Sequence, residues 1–540
     1  MVGSEIQLAE ARDAERPGTE RDCDTKGSIL LLDRMKEILY ISAGELSNYT
    51  SSHFWNTQES YLQSEDQDSV ASEISFCETM DTQGRSTLCP RLLLFDRKSN
   101  FGSLSRSSAL GANAGEPDPS ISSLWSGESE EHRQGVIKKS DYHARLEEQG
   151  QSDEDHRSSK EVGDIRYWSD FNRLYHLPRS LQQLPDIPDW ETTSLAWDQG
   201  QEQFTRFNEE SELMESDLRL MVEECDHLQG IQLMNDTDTF GAFMGTFLLS
   251  FRDEYSKLPS FAFPLMSGAS SPNFGGHDAK RTRCILNEAL YLRTLNEYSS
   301  MNIPIEHPTI WPAAVWETPL NFRSDSVFHQ SALLSAHIET CTLPFRLNRD
   351  HRDMAVLSAQ MKWHATSPFA ELQGIFPFAT SLDFNERLYN LSSNFAPMAS
   401  HVTRGFSPSL VEDYTKWTVQ NLQSSLHYHI SVHSFAYPLA DTFPPLEHIG
   451  RGPAGELSQS VTSESLGLPM VQSYSSLSSS VNTAKVLERY ASFVDDCVKR
   501  RGSITTSGEI TLDDLKDLVN DLWTMHDNCP AAGGDEGSPE

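Results

Sequence analysis

Acidic residues and a glycine are concentrated in one turn of the sequence. The segment Asn235–Gly241 reads NDTDTFG, and it lies between the apolar run Leu228–Met234 and the run Ala242–Tyr255. Asp and Asn side chains stabilise turns through local hydrogen bonds, and paired carboxylates can also recruit Mg²⁺. Turn capping is the favoured interpretation of Asp236 and Asp238.

The runs on either side of this turn predict the elements that position it. Residues 228–234 predict a strand, residues 242–255 a helix and Phe261–Leu265 a second strand. This order is typical of an α/β layer with a parallel sheet. Glu37–Ser42 and Pro90–Asp96 predict two more buried strands. Ligands of such sheets bind beyond the carboxyl ends of the strands, so the turn is predicted to lie at the binding edge.

Apolar residues at helical spacing predict several helices. Met214, Leu218 and Met221 fall on one face of a helix predicted over 208–225, with Asn208 as its N-cap. Further helices are predicted at 285–295, 483–499 and 512–525.

Changes in composition divide the chain into segments. Residues 103–160 contain too few apolar residues to offset the entropy of ordering the chain, so they predict a disordered insert. Residues 60–86 are acidic and serine-rich, which predicts a loop. The predicted organisation is an extension at 1–34, a first domain at 35–300 that carries the insert, a second α+β domain at 301–450, a mobile loop at 451–482, C-terminal helices at 483–529 and an acidic tail at 530–540.

The charge of the chain excludes some classes of ligand. Among 540 residues, 43 are Lys or Arg and 79 are Asp or Glu, which gives a formal net charge of −36. Such a surface repels phosphate backbones and anionic lipids, so nucleic acid is not expected as a direct ligand. The eight cysteines are scattered without a CxxC pair, which predicts reduced thiols rather than disulfides or zinc. The acidic N-terminus predicts neither a signal peptide nor an import presequence.

Other chemical motifs are weak. His427 and His429 share one face of a strand but have no third ligand nearby in sequence, and His351 and His364 lack metal-ligand spacing. Structural or surface roles are therefore predicted for these histidines. The sequence contains no GxSxG, HExxH or Walker motif.

Four separated segments resemble the tubulin family in order and spacing. Met35–Trp55 is similar to the opening strand, first nucleotide loop and first helix, and Pro90–Asp96 to the next strand. Glu210–Tyr255 resembles the helix, strand, glycine loop and helix that follow, and Cys284–Tyr291 (CILNEALY) resembles the start of the central helix. The resemblance implies an α/β fold of the tubulin/FtsZ type, with a Rossmann-type parallel sheet, a long central helix, a second α+β domain and C-terminal helices.

Within that superfamily the chain resembles the Misato family. The similar segments are PRLLLFD followed by FGSL, the HLPRS block within Trp168–Leu184, and EECDHLQGIQL. True tubulins lack the HLPRS block. Misato proteins usually begin near Met35, so residues 1–34 are either an extension or an over-long gene model. The resemblance implies a role in mitochondrial distribution and mitochondrial DNA inheritance. The acidic surface and the reduced cysteines favour the cytosolic face of the outer mitochondrial membrane over import, and a cytosolic pool is left open.

The tubulin resemblance also implies a guanine-nucleotide site, for which the matching residues are Gly44, Gly241 and Asn287. The tubulin phosphate loop reads GGGTGSG, so backbone N–H groups approach the phosphates with no Cβ between them. The matching stretch here is Thr237–Phe243 (TDTFGAF), with two nearby carboxylates that repel phosphates unless a cation intervenes. Asn287 is interpreted either as a contact to the base or as a helix cap.

Other positions of that site differ from the tubulin pattern. Glu45 and Leu46 stand where tubulins carry Gln and Cys, Tyr49 replaces a Gln, and Lys98 replaces an acid that organises the metal. One feature agrees with an active site: Asp353 ends a turn that resembles NADLRK, whose last position is an acid in the tubulin subunit that completes hydrolysis. A catalytic role of Asp353 is the less favoured interpretation.

These features together predict a tubulin-like protein that acts through protein partners and not as an enzyme. No metal is expected, GTP is left open as a cofactor, and the protein is expected to be peripheral to the mitochondrial membrane. The alternatives are an active GTPase that polymerises like tubulin and a filament protein that assembles without nucleotide.

Overall fold

The structure is a computed structural model, and part of the chain is described by it. The described residues are 36–62, 70–80, 84–104, 137–148, 165–185, 196–268, 279–311, 322–362, 366–378, 398–422, 428–445, 469–479, 481–500 and 510–530. The predicted extension at 1–34, most of the predicted insert and nearly all of the predicted tail lie outside these residues.

The described strands form a six-stranded sheet, a four-stranded sheet and two short ribbons. They are β1 (Glu37–Ala43), β2 (Phe76–Met80), β3 (Ser86–Pro90), β4 (Leu92–Arg97), β5 (Leu181–Leu184), β6 (Leu228–Asp236), β7 (Ser260–Leu265), β8 (Met301–Asn302), β9 (Glu371–Ile375), β10 (Met398–Arg404), β11 (Tyr428–Ser434), β12 (Tyr437–Pro438), β13 (Met470–Val471) and β14 (Ser473–Ser479).

The described part of the chain contains eleven α-helices of five or more residues. They are α1 (Glu45–Leu62), α2 (Asp141–Glu148), α3 (Trp197–Ser211), α4 (Arg219–Glu223), α5 (Thr237–Glu254), α6 (Ala279–Tyr298), α7 (Val327–Thr342), α8 (Met354–Met361), α9 (Pro408–Leu422), α10 (Val481–Lys499) and α11 (Leu512–Asp527).

The first sheet is parallel throughout, in the order β5-β4-β1-β6-β7-β8. All seven residues of β1 are buried, as expected for a central strand with helices on both faces. Leu39 and Ile41 pack with residues of α5, α6 and α10 on one face. Ile38 and Tyr40 face the opposite way and pack with residues of α1 and α7. The predicted α/β fold with a parallel sheet is confirmed.

The second sheet has the order β11-β10-β14-β9, with β14 antiparallel to both of its neighbours. The prediction of a mobile loop over 451–482 is therefore wrong at β13 and β14, and residues 446–468 lie outside the described part. Strand β14 reads SYSSLSS, and all its residues are buried. A serine-rich strand has no apolar pattern that sequence reasoning can detect.

Three other segments differ from the predictions. The helix predicted over 208–225 is divided, because α3 ends at Ser211 and a π-helical turn at Met214–Leu218 precedes α4. Asn208 lies inside α3 rather than at its start, and its side chain accepts the N–H of Met214 at 3.0 Å. The predicted loop at 60–86 contains β2 and the start of β3. The predicted insert contains α2.

A buried ionic group, the interlayer cluster of Glu339, Arg346 and Arg404, connects α7 to the second sheet. One carboxylate oxygen of Glu339 accepts from Arg346 at 3.2 Å, and the other accepts from Arg404. All three side chains have zero exposure. The cluster has two guanidinium groups and one carboxylate, which leaves one positive charge unbalanced. The guanidinium of Arg404 lies 5.8 Å from the centre of the Tyr61 ring in α1, and this aromatic face stabilises the positive charge.

The C-terminal helices α10 and α11 form where they were predicted. Helix α11 begins with a capping box, in which Thr511 accepts the N–H of Asp514 and Asp514 accepts the N–H of Thr511. Leu515, Leu518 and Leu522 are buried in the core beside α6. Within the described ranges, every helix is too short or too polar to cross a bilayer.

Candidate functional site

The start of α1 lies at the carboxyl end of β1, where the sequence predicts the binding edge. Gly44 joins the two elements with a φ of +105°, a conformation that favours glycine. Its carbonyl accepts the N–H of Asn48 at 2.9 Å, which begins the helix. The first backbone N–H groups of α1 therefore point outward, and such groups attract anions.

The anion at this helix start is a side chain of the protein itself. Asp236 is the last residue of the neighbouring strand β6, and its carboxylate accepts the N–H of Leu46 at 3.0 Å and the N–H of Ser47 at 2.9 Å. A Cβ on Gly44 would lie 2.6 Å from the Asp236 carboxyl group. Gly44 is thus required for close packing against Asp236, and Asp236 occupies the position that an anionic ligand of α1 would take.

Burial dominates the electrostatics of Asp236. Desolvation raises the pKa of its carboxyl group well above the ordinary value, and the charge of Asp238 adds to this rise. The two backbone N–H groups lower the pKa but do not compensate for burial. A carboxyl group in this position holds a proton at higher pH than an exposed aspartate does.

The predicted turn at 235–241 is not formed. Strand β6 continues to Asp236 and α5 begins at Thr237, so the stretch that matches the tubulin glycine loop is helix. Gly241 lies inside α5, where a Cβ would be 3.7 Å from the ring of Tyr291. This glycine packs against α6, and its backbone N–H belongs to the helix rather than to a phosphate-binding loop.

Asp96, at the carboxyl end of β4, is a second buried acid at this edge. One oxygen accepts from the side chains of Asn48 at 2.8 Å and Trp168 at 3.1 Å. The other accepts from the backbone of Arg97 and the side chain of Asn100, both at 2.8 Å. Burial raises the pKa of Asp96, and these hydrogen bonds oppose the rise. The segment that contains HLPRS thus contributes Trp168 to this edge.

Glu288 is the third buried acid, and sequence reasoning did not identify it. Its carboxylate accepts from the Thr237 hydroxyl at 2.8 Å, the Ser267 N–H at 2.6 Å and the Tyr490 hydroxyl at 2.7 Å. Burial raises its pKa. A signal was available, because Asn287 and Glu288 are polar residues within the apolar run Cys284–Leu292 of α6. We call Asp96, Asp236 and Glu288 the carboxyl-edge cluster.

Asn287 lies next to Glu288 in the interior of α6, which begins at Ala279. Its alternative interpretation as a helix cap is therefore wrong. The side chain is buried, and it lies one helical turn before Tyr291, the residue that packs on Gly241. The assignment of Gly44, Gly241 and Asn287 to a guanine-nucleotide site stays a prediction.

Asp353 lies at the other end of the first sheet. Its carboxylate caps α8 by accepting the N–H of Ala355 at 2.8 Å, and it forms an ion pair with Lys36 at 2.5 Å. Lys36 directly precedes β1, whereas Gly44 follows it. These contacts give Asp353 a structural role at the amino end of the sheet.

Metal ligands are not grouped in the part of the chain that the structure describes. No set of three or more His, Cys, Asp or Glu side chains there has the geometry of a metal site. His364 and His427 lie outside the described residues.

The residues at the carboxyl edge do not fit a triphosphate. The first N–H groups of α1 are bound by Asp236, the glycine loop is replaced by the start of α5, and a phosphate at this helix would meet a carboxyl group. A phosphate could reach the N–H groups of Leu46 and Ser47 only by displacing the Asp236 carboxyl group.

Comparison with known proteins agrees with this fold. Residues 36–148 match the Misato segment II tubulin-like domain, and residues 158–347 match the tubulin domain. The chain is 32% identical to "Protein DML1" of Gibberella zeae, over 63% of this chain and 67% of that protein. It is 32% identical to "Protein dml-1" of Neurospora crassa, over 58% of each. It is 30% identical to "Protein misato" of Drosophila melanogaster, over 59% of this chain and 61% of that protein.

The parallel sheet, its flanking helices and these matches define a tubulin-like protein. The matched parts span about three fifths to two thirds of the length of those relatives. The chain belongs to the Misato family, which also includes the DML1 proteins, and the resemblance noted in the sequence is confirmed.

Proposed function

We propose that this protein is a tubulin-like scaffold that works without GTP hydrolysis, through protein partners, in mitochondrial distribution and mitochondrial DNA inheritance. The mitochondrial part rests on the implied role of the Misato family. The part that concerns nucleotide rests on one observation: the Asp236 carboxylate binds the start of α1.

The contacts of Asp236 favour a scaffold over an enzyme. A GTPase stabilises phosphate charge with backbone N–H groups, cations and an ordered magnesium ion. Here the two N–H groups at the start of α1 donate to Asp236, and the Asp96 carboxylate is surrounded by four donors of the protein. The protein itself therefore uses the N–H groups at the start of α1 that the phosphates of a nucleotide would need.

The surface of the protein supports a peripheral place at the mitochondrion. The net charge of −36 disfavours direct contact with anionic lipid. We therefore propose that a protein partner, rather than the lipid surface, brings the chain to the cytosolic face of the outer membrane.

The first experiment measures GTP binding and turnover by the purified full-length chain with Mg²⁺. We expect neither micromolar binding nor turnover. The Asp236→Ala variant is compared with Asp253→Ala, which removes an exposed acid from the end of α5. Micromolar binding with magnesium-dependent hydrolysis in the unchanged protein, lost in Asp236→Ala, would establish the GTPase alternative.

The second experiment measures function in cells. Depletion of the protein is expected to change mitochondrial distribution and mitochondrial DNA content, and the full-length chain with a C-terminal fluorescent tag is expected to restore both. Normal mitochondria after depletion, with the tag diffuse throughout the cell, would count against the mitochondrial role. Sedimentation of the purified chain with and without GTP tests the filament alternative separately.

A further inference from the structure

Strand β11 forms one edge of the second sheet. It pairs in parallel with β10 along its whole length, and no other described strand pairs with its opposite side. The carbonyl of Ser434 accepts the N–H of Gly405, which follows β10, at 2.8 Å. In a parallel pair each residue points its N–H and C=O groups to one side, and the next residue points them to the other. These groups of Val432 therefore also face β10, whereas those of Ser431 and His433 face away from the sheet.

The free side of β11 lacks the features that usually protect a sheet edge, which are short strands, charged residues, proline and bulges. The other edge strands have such features, because β5 and β8 contain four and two residues and β9 begins with charged Glu371. Strand β11 has seven residues, YHISVHS, without Lys, Asp, Glu, Pro or Gly, and it pairs with β10 without a bulge. Ser431 and His433 are exposed, so this edge is open to another strand.

The surroundings of the edge favour a segment that is apolar on one face and basic on the other. Ile430 and Val432 are buried in the core that the second sheet shares with α7. On the opposite face, the ring of His433 lies 6.2 Å from that of Tyr414 in α9. Residues 411–417 of this helix contain two exposed acids and one exposed lysine. A second copy of the chain would bring the same net charge of −36, so charge favours a different, basic partner.

We propose that β11 binds an extended segment of a protein partner, which adds a strand to the second sheet and places Lys or Arg beside α9. The backbone groups of Ser431 and His433 bind the added strand, and its alternating apolar and basic side chains give the selectivity. This contact is a way for the proposed scaffold to hold a partner, and in that sense it rests on the proposed function. Peptide binding to the purified chain tests it without GTP turnover or mitochondria, so the two proposals fail separately.

The probe is the fluorescent peptide Lys-Val-Thr-Val-Lys-Val-Thr-Val-Lys, and anisotropy measures its binding to the purified full-length chain. We expect saturable binding, weakened at least about tenfold when Glu replaces each Lys of the peptide. Ser431→Pro removes an outward N–H and no bond to β10, and it should weaken binding at least about tenfold. Ser431→Ala keeps this N–H and is the matched control, which should bind like the unchanged chain. No saturable binding, or equal binding by Ser431→Pro, would overturn the proposal.

Hydrogen exchange of the unchanged chain provides a test that does not depend on the folding of the proline variant. Without peptide, the N–H groups of Ser431 and His433 should exchange faster than that of Val432, which faces β10. With peptide at about nine times its dissociation constant, their exchange should slow about tenfold. Protection elsewhere with no change at Ser431 and His433 would refute the proposed site. A dimer in sedimentation that Ser431→Pro dissociates would assign the edge to a second copy and overturn the choice of a basic partner.

Discussion

Buried acidic side chains have different partners in the carboxyl-edge cluster and in the interlayer cluster. Asp236 and Glu288 accept hydrogen bonds only from neutral groups among their described contacts, and their pKa values rise. Glu339 instead lies between two guanidinium groups in the interlayer cluster. The comparison indicates that neutral donors of the fold hold the edge acids, whereas Glu339 balances cations of the protein itself.

The largest effect is expected from Glu339→Ala. This change leaves the guanidinium groups of Arg346 and Arg404 buried without their carboxylate. Removing one partner of a buried ion pair costs about 3–5 kcal/mol, because the remaining charge is uncompensated. Urea unfolding measures the loss. Glu202→Ala, which breaks an exposed pair with Arg206, serves as the control and should change stability little.

An equal loss from Glu339→Ala and Glu202→Ala would contradict the importance of the interlayer cluster. Glu339→Gln adds a finer comparison, because it keeps the volume and removes the charge. We expect it to lie between the unchanged protein and Glu339→Ala.

Asp236→Ala is expected to cost less, about 2 kcal/mol at neutral pH. Two buried backbone N–H groups, of Leu46 and Ser47, lose their acceptor, but the cost of burying a carboxyl group is also removed. The raised pKa of Asp236 means that its contribution to stability is present at low pH and is lost as the pH rises through the folded-state pKa.

Urea unfolding of Asp236→Ala at several pH values between 5 and 8 checks both expectations. The variant should lose less stability than the unchanged protein as the pH rises. An unchanged pH dependence would show that Asp236 titrates as an exposed aspartate does.

The sequence predicts the first sheet better than this cluster, for a physical reason. Strands such as β1 are apolar runs, and burial on both faces requires that pattern. The contact between Asp236 and the N–H groups of Leu46 and Ser47 joins residues about 190 positions apart. Local spacing places Asp236 next to a turn, but only the register of β1 against β6 brings it to the start of α1.

In the second sheet, by contrast, the sequence does not predict the central strand. Strand β14 is central and fully buried, yet its serines pattern like a loop. Its position is determined by pairing with β10 and β9, which are distant in sequence. Residues of this kind become predictable only when their partners are known.

A buried base gives a pH effect opposite to that of the edge acids. His53 packs against Phe171 and Phe328, and burial lowers its pKa to about 3. Because its pKa is lower in the folded state, neutral His53 contributes stability at pH values above the unfolded-state pKa of 6.5. This stability is lost as the pH falls below 6.5. Between pH 8 and pH 5 the loss from His53 amounts to about 2 kcal/mol.

The variant His53→Gln cannot gain this proton, so its stability should depend less on pH between 8 and 5. Urea unfolding at both pH values measures the difference, and exposed His227→Gln is the control. If both variants keep the full pH dependence of the unchanged protein, the burial of His53 is not its source.

The smallest effect is expected at a helix start that is capped locally. Thr511 accepts the N–H of Asp514 at 3.2 Å in an exposed capping box, whereas the start of α1 depends on Asp236 from another strand. Replacing an N-cap threonine with alanine costs about 1 kcal/mol, since water can reach the freed N–H group.

Thr511→Ala should therefore destabilise the protein less than Asp236→Ala, and without a change in pH dependence. Urea unfolding of the two variants, measured side by side at pH 5 and pH 8, tests this order. If Thr511→Ala were the more costly change, the cap at α1 would be an ordinary helix cap. Asp236 would then not be the specialised substitute for an anionic ligand that its burial and position indicate.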